Sequence, residues 1–108
     1  MAAEETIAIL HRYLLKLREE GLPVAGLVLY GSYARGEAGL DSDIDVLVLL
    51  EGNPSKDDFF ELWRRLERHA HAIDLRIETW PVTVTSYETD EVSPLILIAR
   101  QEGIRIAA

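Results

Sequence analysis

The chain has 108 residues, no cysteine, 48% hydrophobic residues and a formal net charge of −8. A chain of this length builds one small core, so we expect a single domain over residues 1–108. Disulfides and thiolate metal sites are excluded by the absence of cysteine, and the acidic balance argues against a nucleic-acid partner, which basic patches would bind. No apolar run approaches the ~18 residues of a membrane span, and the acidic residues 1–5 lack a signal-peptide layout, so we expect a cytoplasmic protein with no membrane contact.

The first half of the chain predicts a helix followed by two strands. Apolar residues recur at helical spacing up to Leu17, and this helix is expected to end near residues 21–23. Residues 24–30 and 44–50 are apolar and rich in β-branched residues, so each predicts a strand. One helical turn from Ser32 through Arg35 is predicted between them, with Gly36 as its end.

The second half predicts two more helices and one or two strands. An apolar stripe from Phe59 to Ala70 indicates a helix, and residues 72–78 alternate as a strand does. Ser93 and Pro94 resemble an N-cap followed by proline in the first helical turn, with Gly103 closing that helix. Residues 104–106 predict a short edge strand. The whole order predicts an α/β (α+β) domain with a small mixed β-sheet flanked by helices.

Residues 94–99 are apolar at nearly every position. A helix that is apolar all round is usually buried, and a domain this small has few places to bury one. The same run is also compatible with a strand. Our hypothesis is that this segment contacts another subunit, in a homo-oligomer or a hetero-oligomer.

Asp43 and Asp45 are separated by one residue at the start of the second predicted strand, so their side chains lie on one face. Two adjacent carboxylates repel each other, which leaves either a solvated strand end or a bound cation. Mg²⁺ is typically held by one or two carboxylates together with substrate phosphates. A pair of Mg²⁺ ions would stabilise both the attacking and the leaving oxygen of a displacement at phosphorus.

Gly31 and Ser32 end the preceding strand and predict a phosphate-binding turn. Glycine lets a ligand approach the backbone, and the free N–H groups of a helix that starts at Ser32 would favour anions. Taken alone, this pair is better explained as an ordinary strand-to-helix turn. Arg35 is expected either to contact a phosphate or to pair with Glu37.

The combination is more specific than its parts, because Gly31-Ser32, ten residues and then Asp43-x-Asp45 form one pattern. This pattern resembles the signature of the nucleotidyltransferase superfamily, which has the polymerase-β-like fold. The fuller form, Gly-Ser-Tyr-Ala-Arg-Gly followed by Asp-Ser-Asp-Ile-Asp-Val, is similar to the minimal nucleotidyltransferases (MNT) of prokaryotes. The close match covers about residues 24–50, with a looser match up to Trp80.

The resemblance implies transfer of a nucleoside monophosphate, AMP from ATP, to an acceptor hydroxyl with release of pyrophosphate. Gly31 and Ser32 would hold the β- and γ-phosphates, and Asp43 and Asp45 would bind Mg²⁺. The family uses a third carboxylate on a later strand as a metal ligand and general base. Asp74 is the position that the resemblance favours, and Glu78 is the competing candidate because it lies on the same face of the predicted strand.

Such small proteins resemble the MNT half of MNT–HEPN toxin–antitoxin pairs. This implies a HEPN-type protein partner that carries the acceptor hydroxyl. The alternative is a binding antitoxin, which binds the partner and has little or no catalytic activity. An antibiotic-modifying enzyme is a third hypothesis. It is disfavoured because 108 residues leave no room for an acceptor domain.

Overall fold

The computed structural model describes residues 2–107 as a four-stranded sheet with five helices. The strands are β1 (Val24–Tyr30), β2 (Ile44–Leu50), β3 (Ile77–Thr83) and β4 (Ile104–Ile106). The helices are α1 (Ala2–Glu19), α2 (Ser32–Arg35), α3 (Lys56–Ile73), α4 (Val84–Thr89) and α5 (Pro94–Glu102). The predicted mixed α/β architecture is confirmed, including the short strand at residues 104–106.

The strand order is β3-β2-β1-β4, so β3 and β4 form the two edges of the sheet. β1 pairs antiparallel with both β2 and β4, whereas β2 and β3 run parallel. The register sets Asp45 opposite Tyr30 of β1 and opposite Glu78 of β3. The end of β1 and the starts of β2 and β3 therefore meet at one end of the sheet.

The two faces of the sheet bury different sets of side chains. One face packs against α1 and α3 through residues such as Leu29 and Val46. On the other face, Leu47 and Tyr30 pack with Ala99 of α5. Because side chains alternate along a strand, Asp45 and Glu78 lie on this second face, where Asp45 is half-buried and Glu78 is exposed.

The apolar segment at residues 94–99 is helical, so its interpretation as a strand is wrong. The Ser93 hydroxyl accepts a hydrogen bond from the Ile96 N–H at 3.4 Å, which satisfies a free donor in the first turn. Ile96 and Ala99 are buried, whereas Ile98 is 46% exposed. The helix is thus only partly buried within the domain, and its contact with another subunit stays a hypothesis.

Two features differ from the sequence-based expectation. α3 continues to Ile73 and β3 begins only at Ile77, because Asp74 ends the helix and its carbonyl accepts the Ile77 N–H at 3.2 Å. α4 was not predicted. It begins where the Thr83 hydroxyl accepts the Ser86 N–H at 3.1 Å, a local cap that hydrophobic spacing does not reveal. None of the helices that the structure describes is long and apolar enough to cross a membrane.

Candidate active site

Three carboxylates converge at the end of the sheet. Asp43 precedes β2, Asp45 lies on it, and Glu78 is the β3 residue paired with Asp45. Burial raises the pKa of Asp45, and the nearby Asp43 charge raises it further. The pKa of Glu78 is also raised, first by desolvation and then by the charge of Asp43 and a hydrogen bond to it, with Asp45 adding to the effect. Asp43 therefore lies close enough to Asp45 and Glu78 for its charge to act on both.

Such a set of oxygen donors fits a hard divalent cation. Carboxylate oxygens are the ligands that Mg²⁺ prefers, and a bound cation would relieve the repulsion that raises the pKa of Asp45 and Glu78. Within residues 2–107, no three acidic or imidazole side chains are already drawn together into metal-ligand geometry. Asp43 and Glu78 are both exposed, so their carboxylates are accessible from solvent.

Tyr30 forms the inner wall of this cluster. It is buried and lies directly opposite Asp45 in the β1–β2 pairing. Burial raises the pKa of its hydroxyl, and the charges of Asp45 and Glu78 raise it further, so Tyr30 is neutral at physiological pH. Tyr30 was not among the site residues predicted from the sequence. Its position directly before Gly31 was the available signal.

The turn after β1 passes directly beside Asp45. Gly31 has φ 77° and ψ −156°, a conformation that side chains disfavour. A Cβ added at Gly31 would overlap the carboxylate of Asp45, whose Cγ would lie at 3.3 Å. Ser32 then begins α2, and Gly36 ends it in the left-handed conformation. The structure therefore brings the predicted phosphate turn and the predicted metal ligand Asp45 into contact.

Arg35 forms two ion pairs. Its Nε donates to Glu37 at 2.7 Å and its Nη1 donates to Glu102, the last residue of α5, at 2.9 Å. Of the two expectations for Arg35, the pairing with Glu37 is confirmed. Its charge also lowers the pKa of Asp45, against the larger effect of burial. A phosphate contact of Arg35 stays a prediction.

Asp74 does not lie on the strand, so that part of the expectation is wrong. It is the C-cap residue of α3, and its carboxylate accepts hydrogen bonds from the Arg76 guanidinium at 3.0 and 2.8 Å and from the Arg76 N–H at 2.9 Å. Arg76 lowers the pKa of Asp74. The same guanidinium donates to the Tyr33 hydroxyl at 2.9 Å. Asp74 is thus occupied by a structural ion pair, and Glu78 is the carboxylate that the sheet aligns with Asp45.

The nucleotidyltransferase domain model matches residues 10–102. The chain therefore belongs to the nucleotidyltransferase domain family, as the sequence motif indicated. A named relative is the protein adenylyltransferase MntA of Thermococcus cleftensis, which is 43% identical over 67 residues, 62% of this chain and 67% of that protein. A Methanocaldococcus jannaschii relative is 40% identical over 55 residues, 49% of this chain and 55% of that protein. The matches thus span between about half and two thirds of these relatives.

Solved structures share the fold. A Sulfolobus solfataricus protein classed as a nucleotidyltransferase superposes with a TM-score of 0.58 at 17% identity, covering 97% of this chain and 86% of that one. A toxin–antitoxin structure with AMP-PNP gives a TM-score of 0.54 at 23% identity, covering 87% of this chain and 69% of that one. At these identities the likeness concerns the fold alone, and it confirms the predicted nucleotidyltransferase fold.

Proposed function

We propose that this protein transfers AMP from ATP to an acceptor hydroxyl, with Asp43, Asp45 and Glu78 as its three acidic residues. The observation that carries the proposal is the pairing of Asp45 with Glu78 directly beside the Gly31 turn. In the reaction, the acceptor oxygen loses its proton and forms a bond to the α-phosphorus. The bond from that phosphorus to the bridging oxygen breaks, and pyrophosphate leaves with the electron pair.

Each residue has a role that follows from its position. Asp43 and Asp45 would hold Mg²⁺, which supplies positive charge against the phosphate oxygens. Gly31 and Ser32 form the turn that faces the β- and γ-phosphates, where backbone N–H groups bind anions. Glu78 would accept the acceptor proton, because it lies opposite Asp45 on the neighbouring strand and is exposed to an incoming hydroxyl. Asp74 acts only in the fold, through Arg76.

The acceptor hydroxyl belongs to a protein partner of the HEPN type in this proposal, with the chain as the antitoxin half of the pair. Two comparisons support it. A relative at 43% identity is named a protein adenylyltransferase, and proteins of the same fold were solved as toxin–antitoxin structures. The exposed position of Glu78 suits an acceptor that arrives on another molecule.

A binding antitoxin is the second candidate. The observation that favours it is that no three acidic or imidazole side chains of the described residues are already in metal-ligand geometry. In that case the chain would bind its partner without modifying it.

A labelling assay separates the two candidates. Wild-type protein and the Asp43→Asn/Asp45→Asn double variant are incubated with ATP labelled at the α-phosphate, Mg²⁺ and lysate of the source cells. A labelled protein band that requires both aspartates supports nucleotide transfer and identifies the acceptor. Co-purification of a HEPN protein that neither version labels favours the binding antitoxin.

A further inference from the structure

The proposed site residues are arranged in one order across the end of the sheet. The phosphate turn follows β1, Asp45 lies on β2 and Glu78 on β3, so they follow one another in the strand order. In a displacement at phosphorus, the attacking and leaving oxygens lie roughly in line. If pyrophosphate leaves on the side of Gly31, the acceptor hydroxyl must enter from the opposite side, across the β3 edge. This step rests on the proposed function.

Two tryptophans occupy that edge. Trp80 follows Glu78 by two residues, which is about 6.6 Å along a strand, and it is 46% exposed. Its ring contacts Trp63 of α3 with 5.2 Å between the ring centroids. Trp63 is held in place, because its Nε1 donates to the Thr79 carbonyl at 3.2 Å and its ring meets Phe59 edge-on at 6.0 Å. The exposed Trp80 ring therefore lies on a fixed support.

The N–H groups along the β3 edge are not available to pair with a further strand. The Thr79 N–H donates to Glu67 at 3.1 Å, and its carbonyl accepts from Trp63. The Ile77 N–H donates to the Asp74 carbonyl at 3.2 Å, and Pro81 has no N–H to offer. The edge strand therefore presents no free N–H donor at these three residues to an incoming peptide. It does present the exposed aromatic ring of Trp80.

We propose that Trp80, supported by Trp63, is a positioning residue for the acceptor. It binds an apolar or aromatic side chain of the acceptor protein close to the hydroxyl that receives AMP. An aromatic contact of this kind is worth about 0.5–1.5 kcal/mol, which corresponds to a preference of about two- to twelvefold. Trp80 thereby selects which hydroxyls of a partner protein reach Glu78.

The test uses an addressable array of peptides with Ser, Thr or Tyr at the centre and each flanking position varied. Wild type, Trp80→Ser and Trp80→Phe are assayed for transfer from α-labelled ATP. Leu15→Ser is the matched control, since Leu15 is an apolar side chain of α1 with 57% exposure. KM for ATP is measured in parallel for each protein.

We expect wild type to favour peptides with an apolar or aromatic residue beside the hydroxyl by about two- to twelvefold. Trp80→Ser should lose this preference and raise KM for those peptides but not KM for ATP, while Trp80→Phe and Leu15→Ser retain the preference. An unchanged preference in Trp80→Ser overturns the proposal. So does a raised KM for ATP, which would assign Trp80 to the nucleobase. If Asp45→Asn transfers AMP to the peptides as fast as wild type, the proposed function itself fails.

Discussion

At the scale of single residues, two neighbouring carboxylates have opposite electrostatic surroundings. Asp74 has both oxygens on the Arg76 guanidinium, which lowers its pKa. Partial desolvation raises the pKa of the exposed Glu78, and the charges of Asp43 and Asp45 raise it further. A group with a lowered pKa stabilises the fold as an anion. We therefore assign Asp74 to stability, and in the proposed function Glu78 is the carboxylate that serves the chemistry.

The role of Asp74 predicts a pH-dependent stability. Because its pKa is lower in the folded state, its contribution is present above the usual carboxyl pKa and is lost as the pH falls through the folded value. Asp74→Asn should lower the free energy of unfolding by about 1 kcal/mol at pH 7. The value is modest because Arg76 is partly exposed. Urea unfolding at pH 7 and about pH 2 measures it. A loss of equal size at both pH values would contradict this assignment.

Gly31 and Gly36 allow a matched test of the turn. Both have positive φ, 77° and 73°, but only Gly31 has the Asp45 carboxylate where a Cβ would be. Alanine at either position should lower the free energy of unfolding by about 1–2 kcal/mol, because it strains the backbone. Gly31→Ala should in addition abolish transfer activity, because it displaces Asp45, whereas Gly36→Ala should keep the activity. Full activity of a folded Gly31→Ala protein would contradict the contact.

The sequence alone allowed Asp43, Asp45 and Gly31 to be singled out, because alternation and short spacing relate them directly. The third carboxylate could not be chosen in this way. Asp74 and Glu78 are four residues apart on a segment whose register against β2 no local pattern determines. The pairing of Asp45 with Glu78, and the capture of Asp74 by Arg76, appear only once the strands are paired.

At the scale of elements, the junction between α3 and β3 positions Glu78 and the two tryptophans. Glu67 of α3 accepts the Thr79 N–H at 3.1 Å and the Thr79 hydroxyl, and Thr79 is buried. Trp63 donates to the carbonyl of the same residue. Both backbone groups of Thr79 are thus satisfied by helix side chains, which holds the edge strand against α3.

This junction can be weakened selectively. Glu67→Leu removes the oxygen that accepts from the buried N–H and hydroxyl of Thr79. The loss of this acceptor should lower the free energy of unfolding by about 1–3 kcal/mol. Glu67→Gln keeps an acceptor oxygen and should cost clearly less. Urea unfolding of both variants, with β3 amide exchange, measures the effect. Equal destabilisation by the two variants would show that the hydrogen bonds contribute little.

Hydrophobic spacing predicted α1, α3, β1 and β2, because each buries a continuous stripe or face, and the Ser93-Pro94 cap predicted α5. The strand predicted at residues 72–78 shares only residues 77 and 78 with β3, so its start was wrong, and α4 was not predicted. Those boundaries depend on contacts between a side chain and a nearby backbone group, Thr83 with Ser86 and Asp74 with Arg76. Such contacts follow from local geometry and leave no periodic pattern.

At the scale of the whole molecule, the net charge of −8 acts against binding of a polyanion. We therefore predict that a fluorescent single-stranded oligonucleotide binds no more tightly than about 10⁻⁴ M at physiological salt. Fluorescence anisotropy measures this directly. Tighter binding that weakens steeply with salt would contradict the prediction and reopen nucleic acid as an acceptor.

The assembly of Asp43, Asp45 and Glu78 at one end of the sheet is the central claim, and pyrophosphate release from ATP tests it most directly. Wild type, Glu78→Gln and Asp74→Asn are compared with Mg²⁺ and the acceptor found by labelling. Loss of the general base should slow Glu78→Gln by about 10²-fold or more, while Asp74→Asn should stay near the wild-type rate. A fully active Glu78→Gln protein beside an inactive, folded Asp74→Asn protein would contradict the account.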